Sequence, residues 1–126
     1  MRPTQPDATA TLEVIQRFNA AFNQHAVDEI MAIMTEDCVF ENTYPPPDGE
    51  RCVGQAAVRA CFEGFFRASP SAGFEFGDAF ACDGRACVRW RYQWIEPDGR
   101  EGHVLGVDIF HVRDGKIAEK CSYVKG

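Results

Sequence analysis

The chain has 126 residues, of which 45% are hydrophobic and 25% charged, and carries a net charge of −6. That composition fits one globular domain with a single core, read over 1–126. The basic residues are scattered rather than clustered, which excludes a nucleic-acid surface, and no stretch approaches the ~20 apolar residues of a membrane-spanning helix.

The opening "MRPTQPDATAT" lacks the apolar core of a signal peptide. It reads as a flexible leader over residues 1–7, with a helix starting at Asp7 or Thr9. A chain without such a signal is expected in the cytoplasm, where thiols stay reduced. The six cysteines (Cys38, Cys52, Cys61, Cys82, Cys87 and Cys121) show no C-x-x-C pair and no Cys/His spacing suited to zinc. Most read as small core residues, the even count leaves a disulfide framework as the alternative, and no metal or cofactor is expected.

Leu12, Val14, Ile15, Phe18, Ala21 and Phe22 share one face of a first helix. Val27, Ile30, Met31, Ile33 and Met34 repeat at three and four in a short second one. "EDCVFENTY" then turns to strand composition, and "PPPDGER" (Pro45 to Arg51) is a loop, because three prolines remove donors and Asp-Gly marks a turn. After Gly54, the positions Val58, Cys61, Phe62, Phe65 and Phe66 give the amphipathic stripe of a third helix. The rest alternates as strands: "FEFGDAFAC", "RACVRWRYQWI", "EGHVLGVDIFHV" and "KIAEKCSYV", joined at Asp83-Gly84, Asp98-Gly99 and Asp114-Gly115. Such Asp-Gly turns between alternating runs predict an antiparallel meander. Helices first and strands afterwards predict an α+β domain, with helices on one face of a curved sheet that encloses an apolar space. The fifteen Phe, Tyr and Trp residues supply more aromatic bulk than a plain core of this size needs.

Alternation sorts the side chains of the strand around Asp108. Val104, Asp108, Phe110 and Val112 point one way, with Gly106 leaving room between them, and His103, Leu105, Val107, Ile109 and His111 point the other way. Both faces are largely apolar, so one is expected against the helices and the other against a second copy of the chain, as a homodimer through the outer sheet face. An aspartate in such a run is costly to bury without a partner. It is either tied to an arginine or to backbone N–H groups, or held as a functional acid whose desolvation raises its pKa. Composition does not choose between them.

"VIQRFNAAFNQHAVDEIMAIMTEDCVFEN", "VGQAAVRACFEGFF" and "GVDIFHVRDGKI" make the chain resemble the nuclear-transport-factor-2-like superfamily, in its ketosteroid-isomerase and SnoaL-like polyketide-cyclase branch. The resemblance runs from roughly Ala8 to Val124. It implies a conical α+β fold: three N-terminal helices packed in a strongly curved, mixed, mostly antiparallel sheet that encloses a pocket. The resemblance implies that Asp108 stands where the isomerase's aspartate donates a hydrogen bond to a developing oxyanion; the cyclases rely on an aspartate as acid–base, a role Asp108 could supply. The isomerase's tyrosine falls on Phe18, which has no hydroxyl, and its general base falls on Asn42, whose amide takes no proton. Steroid isomerisation by the usual route therefore does not follow, whereas cyclase-type chemistry on acidic C–H bonds needs fewer groups.

The residue expected to carry chemistry is Asp108, as acid–base or oxyanion donor. The expected wall of the pocket is Phe18, Asn42, Tyr44, Phe62, Trp90, Tyr92 and Phe110. Its expected partner is a small hydrophobic molecule bearing a carbonyl or hydroxyl; the alternative is a non-catalytic binding or dimerisation module with a structural Asp108. Glu41, Arg89, Arg91, His103 and His111 fall on the opposite parity, His25 reads as a cap, and Tyr123 as wall or packing.

Overall fold

The structure, a computed structural model, describes residues 7–126. Residues 1–6 of the expected leader lie outside the described residues. Asp7 belongs to the fold: its carboxylate accepts from the Ala10 N–H at 2.7 Å and caps α1 (Ala8–Asn23). α2 (Val27–Ala32) is short and leads into β1 (Met34–Glu41), which starts two residues before the β-type composition does. β2 (Arg51–Val53) and α3 (Gln55–Ala68) follow. β3 (Gly73–Cys82), β4 (Arg85–Ile95), β5 (Glu101–Arg113) and β6 (Lys116–Val124) complete the chain.

The strands form one six-stranded sheet in the order β2-β1-β6-β5-β4-β3. All neighbours are antiparallel except β1 and β6, so the sheet is mixed. The last turn is set by its sequence: Asp114 and Gly115 both have positive φ, 53° and 75°, as a tight two-residue hairpin requires.

The helices cover the concave face. Phe18, Phe22, Phe62 and Phe66 meet Phe40, Val88, Phe110, Val112 and Ile117 in one core cluster. Polar side chains fix the docking. The Thr11 hydroxyl donates to Asp83 O at 2.6 Å, joining α1 to the β3–β4 turn. Asn23 exchanges two hydrogen bonds with the Phe74 backbone, at 2.9 and 3.0 Å. Gln55 Nε2 donates to the carbonyls of Met31, Met34 and Thr35, tying α3 to the α2–β1 corner.

The segment after β1 is a hydrogen-bonded loop. Asn42 N donates to Glu50 O at 2.8 Å and Gly49 N to Pro45 O at 2.7 Å. Gly49 has φ +78°, and a Cβ there would stand 1.7 Å from Asn42 O. Only glycine closes this turn.

Candidate functional site

Between the helices and the inner face of β4–β6 lies a cavity of about 390 Å³, within the ~300–1,000 Å³ range of small-molecule sites. Of the expected wall, Asn42, Tyr44, Phe62, Trp90 and Tyr92 line it. Phe22, Phe65, Phe74 and Trp94 extend the aromatic lining, and Tyr44 is largely exposed at the mouth. Phe18 and Phe110 stand behind the wall. Both are fully buried, their rings edge to face at 5.9 Å, and they pack the floor rather than face the cavity.

Asp108 also stands behind the lining, 3% exposed on the inner face of β5. Its register partner across the sheet is Ser122, whose hydroxyl donates to Asp108 Oδ1 at 2.6 Å. Lys120 Nζ donates to Ser122 Oγ at 3.1 Å and lies 3.5 Å from Asp108 Oδ2. Lys120 is 5% exposed, and its ammonium sits over two aromatic rings, 4.7 Å from the centroid of Phe40 and 5.2 Å from that of Phe22. The buried carboxylate is thus compensated by a lysine and a serine rather than by an arginine.

Lys120 and Ser122, unlike Asp108, line the cavity. Among the described residues Lys120 is the one Lys, Arg, Asp or Glu in that lining, so a ligand meets the network through the Lys120 ammonium and the Ser122 hydroxyl. Neither residue follows from simple alternation along "KIAEKCSYV". Ile117 faces inward opposite Val112, so strict alternation sends Glu119, Cys121 and Tyr123 inward after it. A bulge at Ala118 resets the parity, since Val112 pairs with Ile117 whereas His111 pairs with Glu119. The signal available was the adjacent apolar pair Ile117-Ala118, both buried.

Other polar groups in the wall are donors or neutral. The Asn42 side-chain oxygen accepts from Thr43 N at 2.8 Å, which leaves its NH₂ to offer a ligand. The Trp94 indole N–H donates to Glu96 at 2.8 Å, whereas that of Trp90 is buried without an acceptor among the described residues. Glu41 is held by Arg51 at 2.6 Å and does not enter the cavity. Arg89 is exposed and pairs loosely with Asp78, and His103 and Tyr123 are exposed away from the cavity. His25, at φ 56°, follows the α1 cap, donates N–H to Phe22 O at 3.0 Å and stacks on Phe66.

Comparison with known proteins agrees with this architecture. The family model described as the SnoaL-like domain matches residues 15–120. An NTF2-like protein of unknown function from Mesorhizobium loti is 35% identical and superposes with a TM-score of 0.80, over 99% of this chain and 98% of that one. A polyketide cyclase candidate from Xanthomonas campestris pv. campestris shares the fold at 22% identity and TM-score 0.73, over 93% and 91% of the two chains. A ketosteroid isomerase candidate from Kribbella flavida does so at 20% identity and TM-score 0.77, over 96% and 82%. No curated protein matches the chain. By the family model and by its fold, the chain belongs to the SnoaL-like domain family.

Proposed function

We propose that the chain binds a small, mostly hydrophobic molecule bearing a carbonyl or hydroxyl, and that Asp108 drives cyclase-, isomerase- or dehydratase-type acid–base chemistry on it. The observation that carries this reading is the Asp108–Ser122–Lys120 network, which reaches a largely aromatic cavity through Ser122 and Lys120. A ligand oxygen set against Lys120 receives a cationic donor where negative charge develops on enolisation. The proton leaving the adjacent carbon passes to Ser122 Oγ as the Ser122 hydroxyl proton moves to Asp108 Oδ1, and the C–H electron pair runs into the oxygen held by Lys120. Return of the proton from Asp108 through Ser122 to another carbon completes an isomerisation; in a ring closure the enolate carbon attacks a second carbonyl, and the alkoxide formed takes that same proton, which restores the Asp108 carboxylate. The residues supply every group in this sequence, and no cofactor takes part.

A second reading is favoured by one feature: Asp108 lies behind the wall in a buried ion pair, as a structural carboxylate would. The domain is then a binding module. One experiment separates the two readings. Aromatic ketones with exchangeable α-hydrogens are titrated against the protein by tryptophan fluorescence, and their α-deuterium exchange is followed by NMR. Binding with exchange, lost in Asp108→Asn while binding persists, supports the enzyme. Binding without exchange selects the module, and no binding by any ketone removes both.

The setting we propose is a reducing cytoplasm, in keeping with six free thiols, and no described helix is long and apolar enough to cross a membrane. We also propose a second copy of the chain on the outer sheet face, where Leu105, Ile109 and Tyr123 are exposed.

A further inference from the structure

Cys52 and Cys61 are nine residues apart in sequence, on β2 and α3, and the packing of that helix on the sheet edge brings their sulfurs together. Glu50, at the end of the loop that precedes β2, joins them. The carboxylate oxygen and the two sulfurs all lie within 4.8 Å of one another, and the Cys52 thiol points at Glu50 Oε1 at 3.8 Å. Both thiols are free; Cys52 is buried, Cys61 half-buried and Glu50 exposed. We propose that Glu50, Cys52 and Cys61 form a site for a thiophilic divalent cation of the zinc, cobalt or cadmium kind, with an open fourth position toward solvent.

The geometry suits that class. Around a tetrahedral zinc with Zn–S bonds of ~2.3 Å, ligand atoms stand roughly 3.5–3.8 Å apart. The trio's ligand atoms, within 4.8 Å of one another, would draw together to that spacing around an ion, with Glu50 on the exposed side. Two sulfurs and one oxygen favour borderline-soft ions over magnesium or calcium. The outer groove beside the trio is bordered by Ala57, Ala60 and Gly64, whose small side chains leave room for an ion and its water. Cys–Cys spacing does not show this site in the sequence, because neither a C-x-x-C pair nor a histidine contributes.

Occupancy would also bear on the ligand cavity. Glu50 N donates to Tyr44 O at 3.2 Å and Glu50 O accepts from Asn42 N at 2.8 Å, and both of those residues line the cavity. A cation on Glu50 therefore tethers the mouth.

The test is titration of the reduced protein with Co²⁺. The expected result is one equivalent bound, with a near-ultraviolet thiolate-to-cobalt charge-transfer band and tetrahedral visible bands. The charge-transfer band is lost in Cys52→Ser and in Cys61→Ser, and binding weakens in Glu50→Gln, a surface change that leaves the core intact. Circular dichroism verifies folding of each variant. No thiolate band in the folded wild-type protein overturns the proposal. So does a band that survives in folded Cys61→Ser, or in Glu50→Gln at unchanged affinity.

Discussion

Asp108 and Lys120 are both nearly sealed from water, so neither charge is tolerable there without the other. Removing one member of a buried pair typically costs about 3–5 kcal/mol. Lys120→Met is therefore expected to lose stability of that order in urea denaturation at neutral pH. Asp108→Asn/Lys120→Met should be more stable than the two single losses add up to, by about 1 kcal/mol or more of coupling; strict additivity would show that the two charges do not interact. The cysteines give a second residue-level expectation. Burial, followed by hydrogen bonding to Glu119, pushes the Cys121 thiol up to about 12. Burial, followed by a hydrogen bond with Cys52, pushes Cys61 up to about 12 as well. An unfolded thiol ionises near 9.0, so between 9 and 12 the unfolded chain holds fewer protons than the folded one. The contribution is whole below pH 9 and is lost as pH rises toward 12. Thermal unfolding followed from pH 8 to 11 should fall less steeply in Cys121→Ala than in the wild type. At this scale Asp108 was legible, because a carboxylate among Val, Ile and Phe stands out of its strand. Its lysine was not, because Lys120 reads as one more surface charge in "EKCSY" until the register is known.

The elements were legible where local chemistry decides them. Asp-Gly pairs, helical stripes and strict alternation gave the three helices, the meander and the inward side of β5. What escaped was decided by pairing across distance. β2 is three residues long and is a strand only because β1 lies beside it. The bulge at Ala118 is set by the match of β6 to β5 on one side and to β1 on the other, and no turn signal marks it. That single extra residue turns Lys120 and Ser122 into the cavity and Tyr123 out. The inner face also depends on a residue with no side chain. A Cβ on Gly106 would stand 2.4 Å from the Trp90 ring and 2.4 Å from Tyr123 O. The added methyl thus meets a ring that lines the cavity and the backbone of β6 at once. Gly106→Ala is therefore expected to cost about 1–3 kcal/mol in denaturant unfolding. Trp90 should also become more accessible to acrylamide quenching; unchanged stability and quenching would mean that the sheet relaxes there freely.

At the scale of the molecule, the sheet has one face committed to helices and cavity and one left bare among the described residues. The first commitment was legible from element order, since three helices ahead of a meander have one concave face to fill. The parallel pairing of β1 with β6, which closes the sheet around them, joins strands about eighty residues apart and leaves no local trace. The bare face carries an apolar row across three strands. Phe80 on β3 lies opposite Cys87 on β4, which in turn lies opposite Ile109 on β5, with Leu105 and Tyr123 beside them. Phe80 is 66% exposed, Tyr123 54% and Leu105 39%, so they gain little from this chain alone. A second copy turned about a two-fold axis sets the same row against itself and needs no other component. Ile109, near the centre of the row, is the position where a charge would be most damaging. The wild-type chain is expected to sediment as a dimer at micromolar concentration and Ile109→Lys as a monomer with an unchanged circular dichroism spectrum. Each copy carries a net charge of −6, so added salt should strengthen the wild-type association by screening the repulsion between copies. A wild-type chain that stays monomeric at every concentration and salt level would leave that face to a different partner.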